Sequence, residues 1–124
     1  MNVSDLSLLT PDLSRASISH NEIVLDYQSV LEAIDQLAAE GYAVTAWEGW
    51  LLYSDGRRGH SARHQGTMCI VSVANEDAQR FVNRAADIAR RTIHQAQLEW
   101  EQQPEFLGAT LYYCLSIEPA KMHQ

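Results

Sequence analysis

The longest regular pattern in the sequence is a stripe of apolar side chains that recurs every three or four residues over positions 78–100. Such spacing places the apolar side chains on one face of an α-helix. Asn75 precedes the stripe as a candidate N-cap, with Glu76 and Asp77 in the first turn, and the pattern runs to about Gln102. The chain is therefore predicted to contain a long amphipathic helix whose apolar face needs a surface to cover.

A shorter helical stripe lies between Asp26 and Gly41. Asp26 is a typical N-cap residue, and glycine is typical of the position just after a helix. The outer face of this second predicted helix is polar and mostly acidic, with Glu32, Asp35, Gln36 and Glu40. It could serve as an acidic docking surface or as an ordinary solvated face.

Three further segments have the composition or alternation of strands, at 43–53, at about 67–73 and at 109–117. The turn signal Ser54-Asp55-Gly56 ends the first of them. The second strand is predicted to pair with the first as a hairpin, with the segment 54–66 as a long connecting loop. Residues 22–25 are either a further strand or the extended entry to the first helix.

Alternation in the first strand divides its residues between two largely apolar faces. One face would carry Val44, Ala46, Glu48, Trp50 and Leu52, and the other Ala43, Thr45, Trp47, Leu51 and Tyr53. A strand of this kind is central and covered on both sides, or it uses one face for a partner. Gly49 predicts a bulge or a close backbone approach, and a bulge there would shift these faces.

The element order (β)αββαβ predicts an α+β two-layer sandwich, with two helices on one face of a mainly antiparallel sheet. If residues 22–25 pair as a strand, a ferredoxin-like topology is expected. The second sheet face would be open and would carry Tyr112 and one of the tryptophans, which predicts a dimer or partner interface. A chain of 124 residues is long enough for one domain, which is predicted at 22–118. A flexible N-terminal arm at 1–21, where Pro11 breaks any helix, should precede this domain, and a tail at 119–124 should follow it.

The sequence contains no apolar run near the ~20 residues of a membrane helix, and its N-terminus lacks the basic residues of a signal peptide. Cys69 and Cys114 lie in strand-like runs with no CxxC partner, which favours reduced thiols. A cytoplasmic protein that does not associate with membranes is expected.

Charge is distributed unevenly along the chain. Residues 1–53 hold eight acids and one arginine, residues 54–94 hold seven arginines and four acids, and the rest is acidic, for a net charge of −7. This balance disfavours nucleic-acid binding, which needs a basic face, although a local arginine cluster could hold one or two phosphates. A basic protein partner would fit the acidic first part, and the alternative is that the acids only keep the surface solvated.

The stretch from Trp47 to Thr67, WEGWLLYSDGRRGHSARHQGT, concentrates glycine, arginine, histidine and tryptophan. Arginine and tryptophan anchor protein interfaces, whereas lysine, which does so poorly, occurs once in the chain. Recognition is therefore favoured over the alternative of a purely structural loop. The predicted binding residues are Glu48, Trp50, Arg57, Arg58, His60, Arg63 and His64.

No catalytic residue, metal site or cofactor is predicted, because no complete signature is present. His60 and His64 have a spacing that could share a metal on a helix, but three arginines beside a cation are unfavourable. Glu48 and His60 could form an acid–base pair if the hairpin brings them together, although a buried glutamate satisfied by arginine or by backbone amides is the more common case.

A small acidic α+β domain with a WEGW…DGRRGHS…HQGT core and no complete catalytic signature resembles the immunity proteins that bacteria make against their own polymorphic toxins. The resemblance covers the general build of residues 22–118 and transfers no functional residues. It implies tight binding to a cognate toxin domain, often a basic nuclease, whose site is shielded by acidic side chains. The arginine-rich middle of the chain departs from a simple acidic decoy.

The resulting hypothesis is a non-catalytic protein-binding domain, an immunity-type inhibitor of a toxin. Two alternatives stay open. One is a structural or regulatory homo-oligomer, such as a homodimer, that uses the open sheet face. The other is a small enzyme or ligand-binding domain centred on Glu48, His60 and His64.

Overall fold

A four-stranded antiparallel sheet and the helices packed on it form an α+β fold in the computed structural model, which describes residues 5–67, 76–102 and 108–120 and only the backbone of 62–67. The strands are β1 Ile23–Leu25, β2 Tyr42–Tyr53, β3 Arg58–Thr67 and β4 Ala109–Pro119. The helices are α1 Pro11–Ala16, α2 Tyr27–Ala39 and α3 Ala78–Glu101, preceded by a 3-10 turn at Asp5–Leu8. The sheet order is β1-β4-β2-β3, and the predicted fold class is confirmed.

The two long helices begin at aspartate N-caps. In α2, the Asp26 carboxylate accepts a hydrogen bond of 2.9 Å from the Ser29 backbone N–H, as the sequence predicts. In α3 the cap is Asp77, which accepts from the Arg80 N–H at 2.8 Å. The prediction of Asn75 as the cap of this helix is therefore wrong by two residues, and Asn75 itself lies outside the described residues.

The core lies between the helices and one face of the sheet. Trp47 and Tyr113 stand on the neighbouring strands β2 and β4, with their rings edge to face at 5.4 Å. The Trp47 Nε1–H donates to Thr92 Oγ1 at 2.9 Å, and the Tyr113 hydroxyl donates to Gln97 Oε1 at 2.8 Å. Both bonds tie the sheet to α3, so the largest core side chains also fix the position of that helix.

The predicted faces of β2 are confirmed only after its first residues. Between Val44 and Ala46 the pairing with β4 shifts by one residue, since Val44 lies opposite Ile117 and Ala46 opposite Ser116. The extra residue, Thr45, puts Val44 on the same side as Trp47, although strict alternation would separate them. The irregularity predicted at Gly49 is present in the pairing of β2 with β3. The additional residues belong to β3, so the alternation of β2 is not interrupted at Gly49.

The prediction of a long loop at 54–66 is wrong, because β3 already begins at Arg58. The hairpin closes at Tyr53, whose N–H donates to the Arg57 carbonyl at 2.8 Å, and Gly56 takes the left-handed conformation with φ 92°. An edge strand needs main-chain pairing on one side only and tolerates polar side chains, so β3 lacks the apolar alternation that marks a strand. The predicted strand at 67–73 lies almost entirely outside the described residues.

Residues 23–25 do pair as a strand, antiparallel to β4. The ferredoxin-like topology expected in that case is nevertheless wrong. In a ferredoxin-like sheet the first and third strands lie side by side at the centre, whereas in this sheet β4 and β2 occupy the centre and β1 and β3 form the edges.

The N-terminal segment is helical where a flexible arm was predicted. Pro11 occupies the first position of α1, where proline is favoured because its missing N–H has no helical partner. Leu9 and Leu13 are buried in the core. At the other end, β4 extends to Pro119, and the Ala120 N–H donates to the Gly41 carbonyl, so the predicted tail at 119–124 begins inside the folded structure.

Candidate functional site

The sheet surface opposite α2 and α3 carries most of the residues that the sequence marks for binding. Strand register places Glu48, Trp50 and Leu52 of β2 beside Cys114, Tyr112 and Thr110 of β4. On the other side of β2, His60 lies opposite Trp50 and Arg58 opposite Leu52. We call the part of this surface formed by six residues the open face: Glu48, Trp50, Leu52, Arg58, His60 and Tyr112.

Trp50 lies at the centre of the open face. Its ring is edge to face with that of His60 at a centroid distance of 5.0 Å, and Tyr112 flanks it on β4. The Trp50 Nε1–H donates to Glu48 Oε1 at 3.0 Å, while His60 Nδ1 lies 3.7 Å from the same oxygen, which is longer than a hydrogen bond. The indole therefore orients the carboxylate, and the imidazole lies beside it.

The side chains of the open face are partly accessible to water. Glu48 and His60 expose 44% and 66% of their side chains, and Trp50, Leu52 and Tyr112 are half-buried. Trp47, three residues before Trp50, is only 4% exposed. One tryptophan thus belongs to the core and the other to a surface, as predicted for the open side of a two-layer sandwich.

The seven predicted binding residues do not all lie together. Glu48, Trp50, Arg58 and His60 share the open face. The Arg57 guanidinium instead lies 4.9 Å from the centroid of the Tyr53 ring and pairs with Asp55 at 2.8 Å, in the hairpin turn. Hydrogen bonds from Arg57, first of all from its backbone N–H, lower the pKa of Asp55.

Arg63 and His64 lie in an irregular part of β3, and their side chains are outside the described residues. Gly49 of β2 is opposite Ser61, and the next residue toward the N-terminus, Glu48, is opposite Gln65. Residues 62–64 therefore form a bulge with no counterpart on β2. A bulge in an edge strand hinders continuous pairing with another strand.

Cys114 lies on β4 opposite Glu48, at the edge of the open face, and is buried. Its thiol donates a hydrogen bond of 3.1 Å to Glu22 Oε2, and its strand neighbour Val24 is fully buried. Burial, followed by the Glu22 carboxylate, raises the pKa of Cys114, and Asp5 is near enough to add to this effect. Alternation places Cys114 on this side of the sheet, but nothing in the sequence signals its contact with Glu22, 92 residues away.

The predicted acidic surface of α2 borders a shallow groove of about 530 Å³ against α1, lined by Thr10, Asp12, Leu13, Glu32, Asp35 and Gln36. Two of its carboxylates have partners in the chain, because Asp12 pairs with Arg15 and Asp35 with Arg90. These pairs reduce the negative charge available to a ligand.

Within the described ranges, no three side chains of histidine, cysteine, aspartate or glutamate lie close enough to hold a metal ion. In the same part of the chain, no helix is long and apolar enough to span a membrane. Comparison of the chain with protein-family models, with curated proteins and with solved structures finds no match.

Proposed function

We propose that this protein is a non-catalytic protein-binding domain and that the open face is its recognition surface. The observation that carries the proposal is the half-buried pair Trp50 and Tyr112 at the centre, with Glu48 and Arg58 toward the two ends. Aromatic residues and arginine are the types most enriched at the centres of protein interfaces. The open face therefore combines an apolar centre with a charged rim.

The outer surfaces of the helices are less suited to recognition than the open face, because several of their charged side chains already pair with each other. Arg84 of α3 holds Glu76 through two bonds of 2.9 Å, and Arg90 pairs with both Asp35 and Asp87. Charged groups already paired within the chain lose those contacts when a partner replaces them. On the open face the strongest side-chain bond of Glu48 comes from a neutral indole, so the carboxylate keeps its charge for a partner.

The resemblance to immunity proteins suggests which partner class to test first, a toxin domain of the same organism. A basic toxin surface would meet Glu48, and one acidic group on the toxin would meet Arg58. In this proposal the protein acts as an inhibitor by covering the toxin's site, and it needs no chemistry of its own.

Affinity capture of the tagged protein from its own cells, followed by mass spectrometry, tests the proposal. We expect the wild type to retain one stoichiometric protein and the Trp50→Ala variant to lose it. Leu98→Ala is the matched control, because Leu98 is an apolar residue on α3 with 41% exposure and lies away from the open face. Equal retention by the Trp50→Ala variant, or no retained protein, would contradict the proposal.

A second candidate, a small enzyme or ligand-binding domain, is favoured by one observation, the 3.7 Å approach of His60 Nδ1 to Glu48 Oε1. Acid–base pairs act best in sites shielded from water, and both groups here are exposed. Under this alternative, His60→Ala abolishes turnover of a substrate without changing the melting temperature.

A further inference from the structure

The charged groups of the open face have a definite order along the strands. Tyr112, Trp50 and His60 form a row across the three strands. Glu48 lies on one side of this row, and Arg58 lies on the other side, opposite Leu52. At ~3.3 Å per residue, the four residue-to-residue steps from Glu48 to Leu52 span roughly 13 Å. The face is thus negative at one end, aromatic in the middle and positive at the other end.

A surface with this order is complementary to a copy of itself turned end to end. A two-fold axis that lies along the row of Tyr112, Trp50 and His60, parallel to the sheet, reverses the strand direction and exchanges the two charged ends. We propose that a second copy of this chain packs on the open face about this axis, with Glu48 of each protomer facing Arg58 of the other. Such an interface is isologous, so each contact occurs twice.

Sheet-to-sheet packing fits the dimensions of these side chains. Stacked sheets lie about 10 Å apart, a gap that side chains from both inner faces fill together. Across the axis, Trp50 and Tyr112 of the two copies would meet and bury their half-exposed rings. Glu48 and Arg58 are on adjacent strands, and the long arginine side chain spans the offset of about 5 Å between them.

Burial already affects Tyr112 in the single chain. Desolvation, followed by the charge of Asp26, raises the pKa of its phenol. The neutral, amphipathic ring is therefore suited to the centre of an interface. The net charge of −7 per chain opposes association of two copies, so the dimer is expected to be weak and dependent on concentration.

The dimer would also regulate the recognition surface. This consequence rests on the proposed function, because a partner protein and the second copy would compete for the same open face. Free protein would then keep Trp50 and Tyr112 covered at high concentration, and partner binding would convert dimers into one-to-one complexes.

Sedimentation velocity of the full chain over a range of concentrations tests the proposal. We expect a shift from the monomer mass of 14.0 kDa toward twice that mass as the concentration rises. Glu48→Arg and Arg58→Glu should each weaken association at least about tenfold, since each change turns two opposite-charge contacts into two like-charge ones. Arg80→Glu is the control, because it makes the same charge change on an exposed position of α3.

The sharpest test mixes the two single variants. Glu48→Arg carries two cations on the open face and Arg58→Glu carries two anions, so the mixture should form heterodimers more strongly than either variant forms homodimers. The double variant, with both charges exchanged, should recover dimerisation. A mass of one chain up to roughly 1 mM, or association unchanged by either reversal, would overturn the inference.

These outcomes separate the inference from the proposed function. If the protein stays monomeric at all concentrations but the Trp50→Ala variant loses the captured partner, the proposed function is supported and the dimer is refuted. A dimer that responds to the charge exchange while no other protein is ever captured supports the dimer alone.

Discussion

Trp47 and Trp50 are three residues apart in β2 and should respond to mutation in opposite ways. Trp47 is 4% exposed, contacts Tyr113 and donates to Thr92, whereas Trp50 is half-buried on the open face. We expect Trp47→Ala to destabilise the fold strongly and to affect partner binding only through folding. Trp50→Ala should leave the fold nearly unchanged and abolish binding.

The expected magnitudes follow from burial. Replacing a fully buried tryptophan by alanine lowers the free energy of unfolding by about 3–5 kcal/mol through lost contacts and the resulting cavity. Removing Trp50 costs about 1 kcal/mol or less, because its site is partly hydrated and water can replace its bond to Glu48. For a domain of this size, ~1 kcal/mol corresponds to roughly 3–5 °C in melting temperature.

Urea denaturation followed by far-UV circular dichroism measures both effects. If Trp47→Ala does not fold, Trp47→Phe keeps an aromatic ring beside Tyr113 but removes the indole N–H and part of the ring volume, for a smaller loss of about 2 kcal/mol. A loss of 3 kcal/mol or more in Trp50→Ala would refute the assignment of the two sheet faces. So would a loss below 1 kcal/mol in Trp47→Ala.

Three further predictions concern stability. Asp77→Ala should lower the free energy of unfolding by about 1 kcal/mol because it removes the α3 cap, and Asp77→Asn, which can still accept the Arg80 N–H, should be nearly neutral in thermal unfolding. Gly56→Ala should cost about 1 kcal/mol in the same assay, since Gly56 has φ 92° and its missing side chain would meet no neighbour, so strain is the only effect. Burial raises the pKa of Cys114 and of Tyr113 above their ordinary values of 9.0 and 10.0, so the folded protein keeps protons that the unfolded chain releases. The contribution of these two groups to stability should therefore be fully present below about pH 9 and should decrease as the pH rises. In urea denaturation at a series of pH values, Cys114→Ala should show a smaller decrease near pH 9 than the wild type. An unchanged pH profile would contradict the role of Cys114.

The sequence predicts well those elements whose pattern reflects burial. The stripe of α3, the Asp26 cap of α2 and the alternation of Trp47, Glu48 and Trp50 all follow from side chains that face the core or water. Their local periodicity carries the information, so the two-layer architecture and the exposed tryptophan could be predicted.

Elements fixed by main-chain pairing could not be predicted in the same way. The polar strand β3 exists because β2 offers it backbone partners, and the one-residue shift at Thr45 depends on pairing with β4. The burial of Leu13 depends on packing of α1 against the rest of the chain, and the segment before it has no sustained period. Strand order was also beyond local patterns, since β1 and β4 are about 90 residues apart.

The same difference explains the candidate site. Glu48, Trp50, Arg58 and His60 were selected by residue type, and pairing brings them together. Arg57 was selected on the same grounds, but its position in the turn directs it to Tyr53 and Asp55 instead. Residue type can therefore indicate recognition chemistry, whereas strand register decides which residues share a face.

The central claim is that another protein binds the open face, and site-specific photo-crosslinking tests it most directly. A photoreactive amino acid replaces Tyr112 on the open face in one variant and the exposed Leu98 on α3 in another. Irradiation in cells should give a discrete cross-linked product with another protein from position 112 and none from position 98. Cross-linking to another protein from position 98 alone, or no product with another protein from position 112, would contradict the account.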